Sequence, residues 1–134
     1  MGGWGTGSFE NDEAMDWLSR LPEIGPADLG EIFKQAADDP AYLEAPAASV
    51  VVAAAEVLAA LNGSPAPAAP PAIGEWLKKY PRLSTPELNA LAVRALERVR
   101  RDSELKDLWM EADGLNDWTG AIRHLQARLG AVNP

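Results

Sequence analysis

Apolar residues along the chain recur at helical spacing in almost every segment, and alternation with a period of two is absent. Ala14, Trp17, Leu18 and Leu21 fall at i, i+3, i+4, i+7 and predict a helix over 12–21 with Asn11 as its cap. Asp12 and Glu13 occupy its first turn, where the helix dipole favours negative charge. Pro22 and Gly25 end it, and Pro26 opens a second helix whose buried stripe is Leu29, Ile32, Phe33 and Ala36. Asp38-Asp39-Pro40 stops that helix.

Residues 47–61 are apolar on every side apart from Ser49 and Glu56. A helix of that kind is surrounded by others. Val50-Val51-Val52 could read as strand, but the surrounding alanines outweigh them, Ala being the best helix former and a poor strand former. Asn62-Gly63 ends the helix. The stretch 64–71 is Ser, Pro and Ala only, which predicts a stiff extended connector.

Beyond it, Ile73, Trp76, Leu77 and Tyr80 mark a short helix over about 73–80 that Pro81 terminates. Ser84-Thr-Pro-Glu87 matches a capping box. The next stripe is Leu88, Leu91, Ala92, Ala95, Leu96 and Val99. It loses phase near Asp102 and resumes as Leu105, Leu108, Trp109 and Ala112, so a break or kink falls there. Gly114 ends this piece, and Asn116 is the expected cap of a last helix with Trp118, Ile122, Leu125 and Leu129 inward. The fold class is therefore all-α: about six helices around a buried Ala/Val-rich central one, preceded by a Gly-rich non-helical segment. Neither side of the connector is large enough to bury a core alone, so residues 1–134 are expected to form one domain.

Charge sharpens this picture. The formal net charge of −8 disfavours nucleic acid, whose affinity rests on Lys and Arg neutralising phosphates, and anionic membranes equally. The imbalance is local: residues 1–75 hold twelve acids and two bases, net −10, and residues 76–134 hold eight acids and ten bases, net +2. Part of this pairs internally, and the rest predicts an acidic face for a basic protein partner. The 47–61 run is too short for the hydrocarbon core and is interrupted by Glu56, so no membrane span is expected.

Candidate chemistry is sparse. With no cysteine and a single histidine, His124, placed away from the apolar stripe, thiolate and zinc sites lack ligands. Gly3-Trp-Gly-Thr-Gly7 lacks the Lys-Ser/Thr ending and the preceding strand of a phosphate loop. No cofactor or metal is therefore expected. Glu56 is the sharpest single residue, because a carboxylate in the most buried helix must be paired or protonated. Arg94, Arg98, a Trp Nε1–H and backbone amides of the N-terminal loop are its expected partners. Asp12 and Asp16 share one face of the first helix, opposite the apolar set, and are expected to face solvent.

The opening Gly3-Trp-Gly-Thr-Gly-Ser-Phe-Glu-Asn-Asp-Glu-Ala-Met-Asp-Trp17 resembles the N-terminal signature of a bacterial family catalogued as domain of unknown function 4259. Matching positions are Gly3, Trp4, Gly5, Gly7, Phe9, Asn11, Asp12, Ala14 and Asp16. The Ala-rich helix with Glu56 and the ending Leu108-Trp-Met-Glu…Trp118 resemble it less specifically. The resemblance implies a bacterial, cytoplasmic protein and supplies no mechanism. It draws attention to Trp4, Gly5, Gly7, Phe9, Glu10, Asn11, Asp12 and Asp16, with Glu56, as candidate binding residues. Two function classes follow. The leading one is a non-enzymatic protein-binding or regulatory module, in the manner of an immunity protein. The alternative is a metal-dependent or acid/base enzyme using Glu56 with Asp12 or Asp16, which requires those carboxylates to converge in one pocket.

Overall fold

Phe33, Leu58, Leu96, Ile122 and Leu125, drawn from four different helices, are all at most 2% exposed and belong to a single buried cluster. The computed structural model describes residues 8–9, 11–66, 69–80 and 86–131. Among them are seven α-helices and no strand: α1 (Asp12–Leu18), α2 (Pro26–Asp38), α3 (Ala45–Leu61), α4 (Pro71–Lys79), α5 (Pro86–Arg101), α6 (Glu104–Glu111) and α7 (Leu115–Ala131). All seven contribute buried side chains to the cluster. The helical stretch expected over 12–21 ends at Leu18, and a 3₁₀ turn, Leu21–Glu23, follows.

Helix α3 packs against every other α-helix, and each residue from Val51 to Leu61 is buried. Its alanines present little more than backbone, which lets neighbouring helices approach closely on all sides. Its C-terminus follows the residue pattern anticipated at Asn62-Gly63. The Gly63 N–H donates to the Ala60 carbonyl at 3.0 Å and the Ser64 N–H to that of Ala59 at 2.8 Å, with Gly63 at φ 92°. This is a Schellman end, and its left-handed position suits glycine. Its N-terminus lacks a side-chain cap of its own and is served from α6, whose Glu104 Oε1 accepts from the Ala45 N–H at 2.8 Å.

The loss of phase near Asp102 is a full break. Ser103 is buried there; its hydroxyl donates to the Val99 carbonyl at 2.7 Å and accepts from the Lys106 N–H at 3.1 Å, ending α5 and capping α6. Two expectations in the last third are corrected. Ala112 is exposed, because it is the C-cap of α6 and lies past the buried turn. Asn116 is not a cap: α7 begins at Leu115, the Trp118 N–H donates to the Gly114 carbonyl at 3.1 Å, and Asn116 is exposed in the first turn. The α6 end explains this shift of two residues. Asp113 takes the left-handed conformation, φ 62°, and Gly114 follows it because a Cβ there would lie 2.7 Å from the Trp109 ring.

The Pro-rich connector passes into α4 earlier than periodicity suggests, with Pro70 as N-cap and Pro71 as the first helical residue. Proline's missing N–H costs nothing there. No described helix is long and apolar enough to cross a membrane. The proposed capping box at Ser84 lies outside the described residues.

Candidate functional site

Phe9 and Asn11 tie the opening motif to the helical body. Phe9 is half-buried and packs against the core, and the Asn11 side-chain oxygen accepts from the Ala14 N–H at 2.8 Å, capping α1 as its position predicts. Trp4, Gly5, Gly7 and Glu10 lie outside the described residues. Ala14, Trp17 and Leu18 are buried against α3, which leaves Asp12 and Asp16 exposed on the opposite side of α1 and Glu13 half-buried between.

Glu56 is 5% exposed, and both of its oxygens are engaged. Arg128, on α7, forks across them: one guanidinium nitrogen donates to Oε1 at 2.8 Å and the other to Oε2 at 3.2 Å. The Ser8 hydroxyl donates to Oε2 at 2.7 Å. The same guanidinium reaches the Ser64 carbonyl at 2.8 Å, just beyond the α3 end. A planar fork on a carboxylate is the geometry that makes arginine the usual partner for a buried acid. One ion pair thus joins the middle of α3, the last turns of α7, the start of the connector and the N-terminal motif.

Of the partners expected for Glu56, Arg94 and Arg98 are replaced by Arg128, while the amides of the Gly-rich loop before Ser8 lie outside the described residues. Arg98 is committed elsewhere, donating to the carbonyls of Ala36 at 2.9 Å, Asp39 at 2.6 Å and Ala41. It serves the carbonyl end of α2 from a neighbouring helix, where positive charge is favoured. Arg94 pairs with Asp38 at 3.2 Å on the surface. Among the described tryptophans, Trp76 donates its indole N–H to the Ile24 carbonyl at 2.6 Å. Arg128 was not among the expected partners, although the sequence holds a signal for it: it directly precedes the buried Leu129 and lies three residues after the buried Leu125. It therefore borders the inward stripe of α7, where a long side chain can reach a neighbouring core helix.

Other polar groups form supports between helices. Glu97 accepts from Arg100 and from Gln126 of α7, and these hydrogen bonds, with Arg100 first, hold its carboxyl below the usual carboxylate range. The Tyr42 hydroxyl donates to Asp107, which pushes the phenol up to about 12. Asn62 donates to Asn89 at 2.6 Å in the interior between α3 and α5. Every buried side-chain nitrogen or oxygen among the described residues has a hydrogen-bond partner.

The carboxylates singled out by the sequence do not converge. Glu56 is sealed against Arg128 and Ser8, whereas Asp12 and Asp16 face solvent from α1. Among the described residues, no three or more His, Asp or Glu side chains are grouped so as to hold a metal ion. His124 is exposed. The model for a family described only as a domain of unknown function, DUF4259, matches residues 2–121. The chain belongs to this DUF4259 family. No curated protein and no solved structure matches it. The matched stretch takes in the opening motif, Ser8 and Glu56 but stops short of Arg128, so the pair joins a residue inside the family match to one beyond it.

Proposed function

We propose that this DUF4259 chain is a non-enzymatic protein-binding or regulatory module, a single domain of the cytoplasm, whose acidic N-terminal half meets a basic protein partner. The observation that carries the reading is the division of labour among its carboxylates. Among the described residues the one buried acid is consumed by an internal ion pair and holds the fold, while Asp12, Asp16, Glu23, Asp28, Glu31 and Asp38 are exposed on or beside α1 and α2. Exposed bases on these two helices and the turn between them are only Arg20 and Lys34. Such a surface attracts cations and basic proteins and repels phosphate backbones and anionic lipid. Glu56 holds Ser8 of the opening motif and Asn11 caps the helix that carries Asp12 and Asp16, so the motif borders this acidic surface; Trp4, Gly5, Gly7, Phe9 and Glu10 are proposed to belong to the same binding region. Covering a basic toxin, as an immunity protein does, is the specific form this reading takes.

Affinity capture from the native host's lysate tests it. The wild type should retain a basic protein that rising salt releases, since surface charge pairs are screened beyond about 10 Å at moderate ionic strength. The Asp12→Asn/Asp16→Asn variant should retain less of it. A retained partner indifferent to both salt and the substitutions would overturn the acidic-face reading.

A further inference from the structure

We propose that the groove between α2 and α3 is the seat of the basic partner's contact segment, an amphipathic helix with leucine-like anchors flanked by lysine or arginine. This rests on the acidic-face reading and adds to it a location and a chemistry.

The groove has a volume of about 270 Å³, and Ile32, Ala36, Leu43, Val50 and Val51 form its apolar lining, with Ala47 at its exposed edge. Gln35 and Asp39 belong both to this groove and to an adjoining depression lined by Glu31, Lys34 and Asp38. The apolar floor therefore runs directly into a rim that carries three carboxylates against one ammonium. Ile32 and Val50 are only half-buried although they belong to apolar stripes, so the folded chain leaves part of each stripe uncovered.

Size and charge select the occupant. The apolar part of the groove has room for one or two apolar side chains. A second copy of this chain packed by the same face would bring its own acidic rim against this one, a like-charge juxtaposition that disfavours such pairing. Nucleic acid and anionic lipid meet the same repulsion. A helix carrying apolar anchors at i and i+4 with cationic neighbours satisfies floor and rim together. Asp38 is already paired with Arg94, but both side chains are more than half exposed, so an incoming cation can compete for it.

The probe is a synthetic helical peptide of Lys, Leu and Ala with leucines at i and i+4, titrated into the ¹⁵N-labelled full chain. Its companion replaces every Leu with Ala and keeps the lysines. The first peptide should saturate, with the largest amide shifts at Ile32, Gln35, Ala47 and Val50, and the companion should bind at least about tenfold more weakly, a difference of about 1.4 kcal/mol. Ala47→Trp, which fills the groove from an exposed position, and Asp39→Asn, which keeps the oxygen that accepts from the Ala41 N–H, should each weaken the first peptide. Circular dichroism melts of both variants confirm folding. Equal binding of the two peptides, or no saturable binding, would overturn the groove. Shifts confined to α1 around Asp12 and Asp16 would also overturn it while leaving the acidic-face reading standing; loss of salt-sensitive capture from lysate would instead remove that reading.

Discussion

Cutting the Glu56–Arg128 pair one side at a time should expose how much of the fold depends on it. The side chains are 6% and 15% exposed, so neither charge can return fully to water when its partner is removed. Breaking a buried pair by deleting one member costs about 3–5 kcal/mol, because the survivor is stranded. Among the described residues, Arg128→Met leaves the more deeply buried Glu56 with one neutral donor, the Ser8 hydroxyl, and should fall near the upper end of that range. Glu56→Leu leaves a guanidinium that keeps the Ser64 carbonyl and some solvent, and should fall near the lower end. Glu56→Gln retains an acceptor for Arg128 and should lose about 1.5–3 kcal/mol, the worth of a charge-assisted hydrogen bond. The double variant Glu56→Leu/Arg128→Met removes both charges and replaces them with apolar volume, and should recover most of the loss. Urea denaturation of all four variants beside the wild type, analysed as a double-mutant cycle, is the assay. Each kcal/mol should move the thermal midpoint by about 2–8 °C for a domain near this size. Single variants within about 1 kcal/mol of wild type, or a double variant equal to the sum of the singles, would show that the pair is no stronger than a surface contact and refute the reasoning.

Asp113→Gly should raise stability by up to about 1–2 kcal/mol in denaturant melts, since Asp113 holds a left-handed conformation that glycine adopts without a Cβ penalty, whereas Gly114→Ala should lower it by bringing a Cβ to 2.7 Å from Trp109. Because the Glu97 carboxyl is lowered by Arg100 and Gln126, its contribution is present above the ordinary value of 4.5 and lost as pH falls through the lower folded value. Glu97→Gln should therefore flatten the acid side of the thermal-midpoint profile, and an unchanged acid limb would contradict this. Tyr42 is raised chiefly by its hydrogen bond to Asp107, so any stability it lends holds below its ordinary 10.0 and is lost as pH rises toward about 12. Ultraviolet titration should show Tyr42 ionising late, and Asp107→Asn should bring it back toward the ordinary value. Calorimetric titration with calcium or magnesium should register only weak binding at Asp12 and Asp16; micromolar binding abolished by Asp12→Asn and Asp16→Asn would favour the metal-dependent alternative.

Local chemistry made much of this molecule readable from the chain. Helical class, the all-round burial of α3 from Val51 to Leu61, the Asn11 cap, the glycine end at Gly63 and the outward placement of Asp12 and Asp16 all depend on residues within a turn or two of one another, where the 3.6-residue period governs which face is which. The same local rule recognised Glu56 as a buried acid in need of a partner, without saying which. That choice belonged to the packing. α7 lies against α3 and carries Arg128 to within a hydrogen bond of Glu56, while Arg98 is drawn to the carbonyl end of α2 and Arg94 to the surface. The groove between α2 and α3 is likewise a product of how two stripes meet, each readable alone but uncovered only in register with the other. Contacts across tens of residues depend on the relative translation and rotation of whole helices, and those degrees of freedom leave no periodicity in the sequence of either helix.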